Sequence, residues 1–191
     1  MKLKICLIIA SVFCSEVLCA QSNLTFTKSF TRKLEKANLE FYHSIERWLK
    51  VAPDKKDRHI KHDIVLHSPP DIEVRIKIWN SKKKREAQHP HVLTSTTLAS
   101  IATNDDHAWI SMKPLPYQQA NELYGADKAL IAEFTPKSTY SNHTKGRMLC
   151  IYNQDSEILV SYIILYDSEL DPFFELPIRF RTNDHPYLEK S

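Results

Sequence analysis

The chain has 191 residues, 42% of them hydrophobic and 26% charged, with a formal net charge of +3. That near-neutral balance implies no polyanion partner, and nucleic acid is not expected to bind. There are two glycines, Gly125 and Gly146. So few exclude a P-loop, a dinucleotide fingerprint and a Gly-x-Ser-x-Gly nucleophile elbow, where glycine lets the backbone turn sharply or approach a ligand.

Residues 1–20 read as a signal peptide. Lys2 and Lys4 precede an apolar core, Ile5–Phe13, and Ala20 offers a small residue for cleavage. A core of about nine residues is too short for a hydrocarbon layer that needs about 20. Removing the segment, which carries Lys2, Lys4 and Glu16, lowers the net charge from +3 to +2. It also removes Cys6, Cys14 and Cys19, leaving only Cys150. No internal disulfide can then form, and residues 21–191 must stabilise themselves by burial, which a chain of this size can do in one core. The expected product is exported, periplasmic or secreted, with no transmembrane segment once the signal is gone.

Phe26, Phe30, Leu34, Ala37, Phe41, Ile45 and Trp48 recur at three- and four-residue spacing. The pattern predicts an amphipathic helix of about 25 residues, about 37 Å long and able to lie across a whole sheet. Pro53 stops it. A polar loop follows to His62, then a short strand at Ile64–Leu66 and a rigid turn at Ser68-Pro69-Pro70-Asp71. Ile72, Val74, Ile76 and Ile78 alternate with Glu73, Arg75 and Lys77, which predicts an antiparallel strand with one wet face.

Residues 92–102 and 107–112 flank Asn104-Asp105-Asp106 and predict a second hairpin. Tyr117 to Tyr124 is predicted as a short helix between Pro116 and Gly125. Ala129–Thr135 is a further strand. Met148–Tyr166 is two apolar runs around Asn153-Gln154-Asp155-Ser156, and both faces of the second run are apolar. It predicts a central hairpin whose second strand is covered on both sides. The tail around Ile178 and Phe180 can supply an edge strand only, because Pro177 lacks an N–H.

The expected fold is a single α+β domain over residues 21–191: a long N-terminal helix packed on a mainly antiparallel sheet of about five to seven strands, with one short additional helix. The arrangement resembles the cystatin-like and NTF2-like layouts. The Gln-x-Val-x-Gly motif of cystatin inhibitors is absent.

Candidate chemistry is sparse. His59 and His62, three apart with Asp63 adjacent, are the candidate metal ligands, since imidazole and carboxylate suit zinc; no His-Glu-x-x-His or paired-Cys spacing supports them. Cys150 alternates within an apolar strand and reads as core. Asp105, Asp106 and Asp167, Glu169, Asp171 read as turn formers. Lys82, Lys83, Lys84 and Arg85 are the candidate partner-binding residues, suited to an anionic surface or acidic partner. No cofactor is expected. The leading functional expectation is an exported, non-catalytic binding or accessory protein that contacts an unknown protein or envelope component. The alternatives are a hydrolase acting on envelope material through His and carboxylate residues, or a small-ligand carrier with an apolar cavity lined by Phe30 and Phe41.

Overall fold

The structure, a computed structural model, describes residues 26–41, 48–51, 60–68, 71–105, 108–170 and 176–181. The proposed signal segment lies outside these residues. The chain forms α1 (Lys28–Lys36), β1 (Leu39–Phe41), β2 (Leu49–Val51), β3 (Ile64–Ser68), β4 (Ile72–Asn80), a 3-10 turn (Arg85–Gln88), α2 (Pro90–Ile101), β5 (Ile110–Pro114), α3 (Tyr117–Tyr124), β6 (Lys128–Phe134), β7 (Lys145–Asn153), β8 (Ile158–Tyr166) and β9 (Ile178–Phe180). Seven strands make one sheet in the order β2-β3-β4-β8-β7-β6-β5, and β1 and β9 make a second sheet of two. All strand pairs are antiparallel.

The central strand is β8, and every one of its nine residues is buried. Ile158, Val160, Tyr162, Ile164 and Tyr166 face a core completed by Phe30 and Leu34 of α1, Ala120 of α3, and the two-stranded sheet through Leu39, Ile178 and Phe180. Leu159, Ile163 and Leu165 face a second core built by Leu93, Leu98 and Ile101 of α2 with Met148, Cys150 and Tyr140. Period-two alternation of an apolar strand puts half of its side chains into each layer. The Tyr162 hydroxyl donates to the Ile178 carbonyl at 2.6 Å, which ties the two sheets together. The expected central hairpin, the short helix α3 and the antiparallel α+β sheet are all present.

The N-terminal helix is much shorter than its stripe suggests. Thr27 caps it, its hydroxyl accepting from the Phe30 N–H at 3.3 Å. It ends after Lys36, and Asn38 turns the chain with a left-handed φ of 53°. Asn is among the few residues that take this conformation readily. Leu39–Phe41 then pairs with Ile178–Phe180, with Arg179 donating to Glu40 at 2.8 Å. A strand partner almost 140 positions away in sequence overrides the helical spacing at Leu39–Phe41. The helix is about 13 Å long rather than about 37 Å, so it covers only part of the sheet. Ile45, on the predicted stripe, lies outside the described residues.

Two further expectations are corrected. Residues 90–101 are helix α2, not half of a hairpin. Pro90 sits at its first turn, and Pro90, Leu93, Thr94, Leu98 and Ile101 form the buried stripe. The Ser/Thr-rich composition conceals that stripe because one buried position is Thr94, whose hydroxyl donates to the Cys150 sulfur at 3.2 Å. The wet face expected on β4 is also partly covered. Arg75 is only 3% exposed, hydrogen-bonded to Glu73 and stacked 4.4 Å from the Tyr140 ring centre.

Gly146 lies opposite Phe134 in the β6–β7 ladder. A Cβ there would sit 2.5 Å from the Phe134 ring, which is itself buried. Gly146→Ala is expected to destabilise the fold by about 1–3 kcal/mol through overpacking, read as a lower urea midpoint. Phe134→Leu in the same chain should restore part of the loss by vacating the ring's space. An unchanged midpoint in Gly146→Ala would show that the ring moves freely.

Candidate functional site

Strand β3 begins at Ile64, opposite Ile76. The last residues of β4, Lys77–Asn80, therefore have β8 on one side and, among the described residues, no strand on the other. Asp63 substitutes for the missing ladder. Its carboxylate accepts from the Ile78 N–H at 2.8 Å and from Lys33 of α1, and Lys77 lies 3.6 Å away. One carboxylate thus fastens α1 to the uncovered end of β4.

At that end stands Trp79, its indole N–H donating to Ser161 of β8 at 2.9 Å. An open groove of about 410 Å³ lies between β4 and α2, lined by Ile60, Lys61, Lys77, Trp79, Lys84 and the Leu93–Ser100 side of α2. A second of about 410 Å³ lies towards α1, lined by Lys33, Lys36, Ile78, Trp79, Lys83, Lys84 and Ile158. Trp79 and Lys84 are common to both. The Lys84 ammonium rests 4.3 Å from the Trp79 ring centre and that of Lys77 at 5.5 Å, within cation–π range. Together the grooves gather six lysines, and Asp63 is the carboxylate that meets two of them. Asp63 offsets Lys33 and Lys77, and the other four lysines leave the grooves with an excess of positive charge that favours an anion.

Of the basic run singled out in the sequence, Lys83 and Lys84 enter the grooves. Lys82 turns away to pair with Glu157, and the hydrogen bond to Glu157 raises its pKa. Arg85 opens the 3-10 turn and is exposed. The partners of Lys83 and Lys84 were not visible in the sequence. Trp79 could have been noticed, because it continues the polar Glu73, Arg75, Lys77 alternation as a lone aromatic. Lys33, Lys36 and Lys61 carry no local signal and arrive only through the packing of α1 and the approach to β3.

His59 lies outside the described residues. The ring nitrogens of His62 are buried and have no hydrogen-bond partner. Burial, then the nearby charges of Arg75 and Lys77, push its pKa down to about 4. The same two cations would oppose a divalent metal beside it. Among the described residues, no group of three or more His, Cys, Asp or Glu side chains is placed to hold a metal ion. Cys150 is fully buried, and its thiol is pushed up to about 12. His143 is the clearest acid–base element. Its Nδ1 donates to Asp167 at 2.8 Å, and Thr144 donates to the same carboxylate through its N–H and hydroxyl. These bonds, with the Thr144 N–H first, hold the Asp167 pKa below its usual value. The pair lines neither groove. Ser141 accepts from the His143 backbone N–H, not from its ring, so no nucleophile–base contact forms there. Phe30 and Phe41, the rings expected to line a carrier cavity, each pack against Phe26, at 5.4 Å and 5.0 Å between ring centres.

The chain matches no protein-family model, no curated protein and no solved structure. No helix among the described residues is long and apolar enough to cross a membrane.

His62 has a pH signature. Its folded pKa is depressed, so the unfolded chain binds this proton first as pH falls. The associated stability is complete above pH 6.5 and is lost as pH falls towards 4, by on the order of 2–3 kcal/mol. His62→Phe is expected to remove that component. The difference in unfolding free energy between variant and wild type should widen in the variant's favour from pH 7 to pH 4. A pH-independent difference would show that His62 is not held neutral.

Proposed function

We propose that the protein is an exported, non-catalytic binding protein of the cell envelope, and that its ligand is an extended anionic polymer such as an acidic polysaccharide. The observation that carries this reading is that six lysines line two grooves sharing Trp79 and Lys84, with Lys77 and Lys84 lying over the indole. Two open grooves meeting at Trp79 and Lys84 suit a chain that passes across them better than a compact molecule enclosed in a pocket. Trp79 is fixed by Ser161 and needs no reordering to meet a ligand, which limits the entropic cost of binding. This reading departs from the expectation, drawn from the near-neutral net charge of +3, that no polyanion binds, because attraction depends on where the charges lie and not on their sum. Export rests on the basic and apolar pattern of residues 1–20.

Immobilised dextran sulfate is the probe. The wild-type chain should bind it, with affinity falling steeply as salt rises. Lys36→Glu, Lys61→Glu and Lys83→Glu combined should weaken binding by about tenfold or more, equivalent to about 1.4 kcal/mol. Lys28→Glu, Lys128→Glu and Lys145→Glu combined change the net charge equally but lie outside the cleft. Equal loss in both triple variants would reduce the effect to net charge and overturn the assignment. Binding of an acidic peptide of matched charge with greater affinity than the polysaccharide would reassign the ligand to a protein.

A further inference from the structure

The seven-stranded sheet ends in two different edges. One is β2, three residues long. The other is β5, Ile110–Pro114, in which all five residues are exposed. The large hydrophobic side chains exposed among the described residues are Trp109, Ile110, Met112, Tyr117 and Leu123. All belong to β5, the residue before it, or α3. An open edge with apolar side chains is a template for another strand, and proteins normally blunt such edges with charge, proline or shortness. β5 has one charge, Lys113, and one proline at its last position.

The hydrogen-bond phase of β5 says what can add to it. Leu115, opposite Ala129, donates its N–H to the Ala129 carbonyl at 2.9 Å. Alternation along an antiparallel strand then turns the main-chain groups of Ser111 and Lys113 towards β6, and those of Ile110, Met112 and Pro114 outwards. Pro114 is tolerated because its missing N–H would have pointed away from β6.

We propose that β5 pairs antiparallel with β5 of a second copy of this chain, about a two-fold axis at Met112, joining two seven-stranded sheets into one. The occupant follows from self-complementarity. Met112 faces its own equivalent, and each donates its N–H to the other's carbonyl. Ile110 faces Pro114 of the second copy and donates to its carbonyl, so the proline falls where only an acceptor is used. Lys113 faces Ser111, and no like charges stand opposite each other. The pairing gives four main-chain hydrogen bonds and withdraws Ile110 and Met112, now about half exposed, from water. A formal net charge of +3 adds little repulsion between copies. The edge is remote in strand order from β4 and the cleft, so the dimer and the binding function stand or fall separately.

Sedimentation equilibrium of the full chain from micromolar to millimolar concentration tests this. The wild type should show a monomer–dimer equilibrium. Ser111→Glu places a carboxylate opposite Lys113 at two symmetric positions and should tighten the dimer about three- to tenfold. Ser111→Lys places like charges there and should weaken it by a similar factor. Met112→Pro removes the outward donor, along with the side chain that accepts from Ser95 of α2, and should give a monomer whose circular dichroism matches the wild type. A wild type that stays monomeric throughout would overturn the proposal. So would a dimer whose affinity ignores both Ser111 substitutions, since its interface would then lie elsewhere.

Discussion

Strand β8 has to be covered on both faces, and the layout of the molecule follows from that requirement. Burying one large aliphatic side chain contributes about 1.5–3 kcal/mol, and β8 carries such side chains on each face. A single helix on one side would leave the other face wet. The chain meets the demand with α1, α3 and the β1–β9 pair on one side and α2 on the other. The two strands of the smaller sheet come from opposite ends of the described chain: β1 precedes the main sheet, and β9 follows it. The Tyr162 hydroxyl, bonded to Ile178, holds one such layer to the strand it covers.

Covering the centre leaves the margins of the sheet less covered, and among the described residues the lysine-lined grooves and the exposed apolar side chains lie there. Beyond Ile76, β4 runs on without β3 beside it, and Asp63 closes the gap with a carboxylate rather than a backbone. The opening leaves two grooves lined by side chains from α1, β4, the approach to β3 and the turn after β4, with Lys77 and Lys84 over the Trp79 indole. All of these segments contribute lysine there. The result is a local positive field in a chain of nearly balanced composition. At the opposite margin, β5 presents apolar side chains and outward main-chain groups. One end of the sheet is therefore electrostatic in character and the other is apolar.

The turn of the β7–β8 hairpin connects the core to the cleft. Glu157 adopts a left-handed φ of 54°, unusual for a residue of its kind. Its carbonyl accepts from the N–H and the hydroxyl of Ser81, and its carboxylate pairs with Lys82. The turn therefore anchors the start of the basic run. With Lys82 held outward, Lys83 and Lys84 are the members of that run that reach Trp79.

Much of the fold was legible in the sequence, because strand alternation is a local property. The two-sided apolar run of β8, the alternation in β4 and the Pro116–Gly125 bracket around α3 each state their structure within a few residues. Helix α2 was less legible, since its buried face includes Thr94, satisfied only by a sulfur on a strand distant in sequence. The N-terminal stripe was misleading beyond Ala37, where helical and extended spacings both fit Leu39 and Phe41 until β9 supplied a partner. Of the cleft, the sequence showed Lys82–Arg85 as a charge run and nothing of what it faces. The sequence by itself determined the α+β class, the central hairpin, and the lack of glycine-dependent nucleotide sites, because these depend on residue type and short-range period. Only the tertiary structure decided where α1 stops, which lysines meet at Trp79, and which strand edge is left open, because each depends on contacts between segments far apart in the chain.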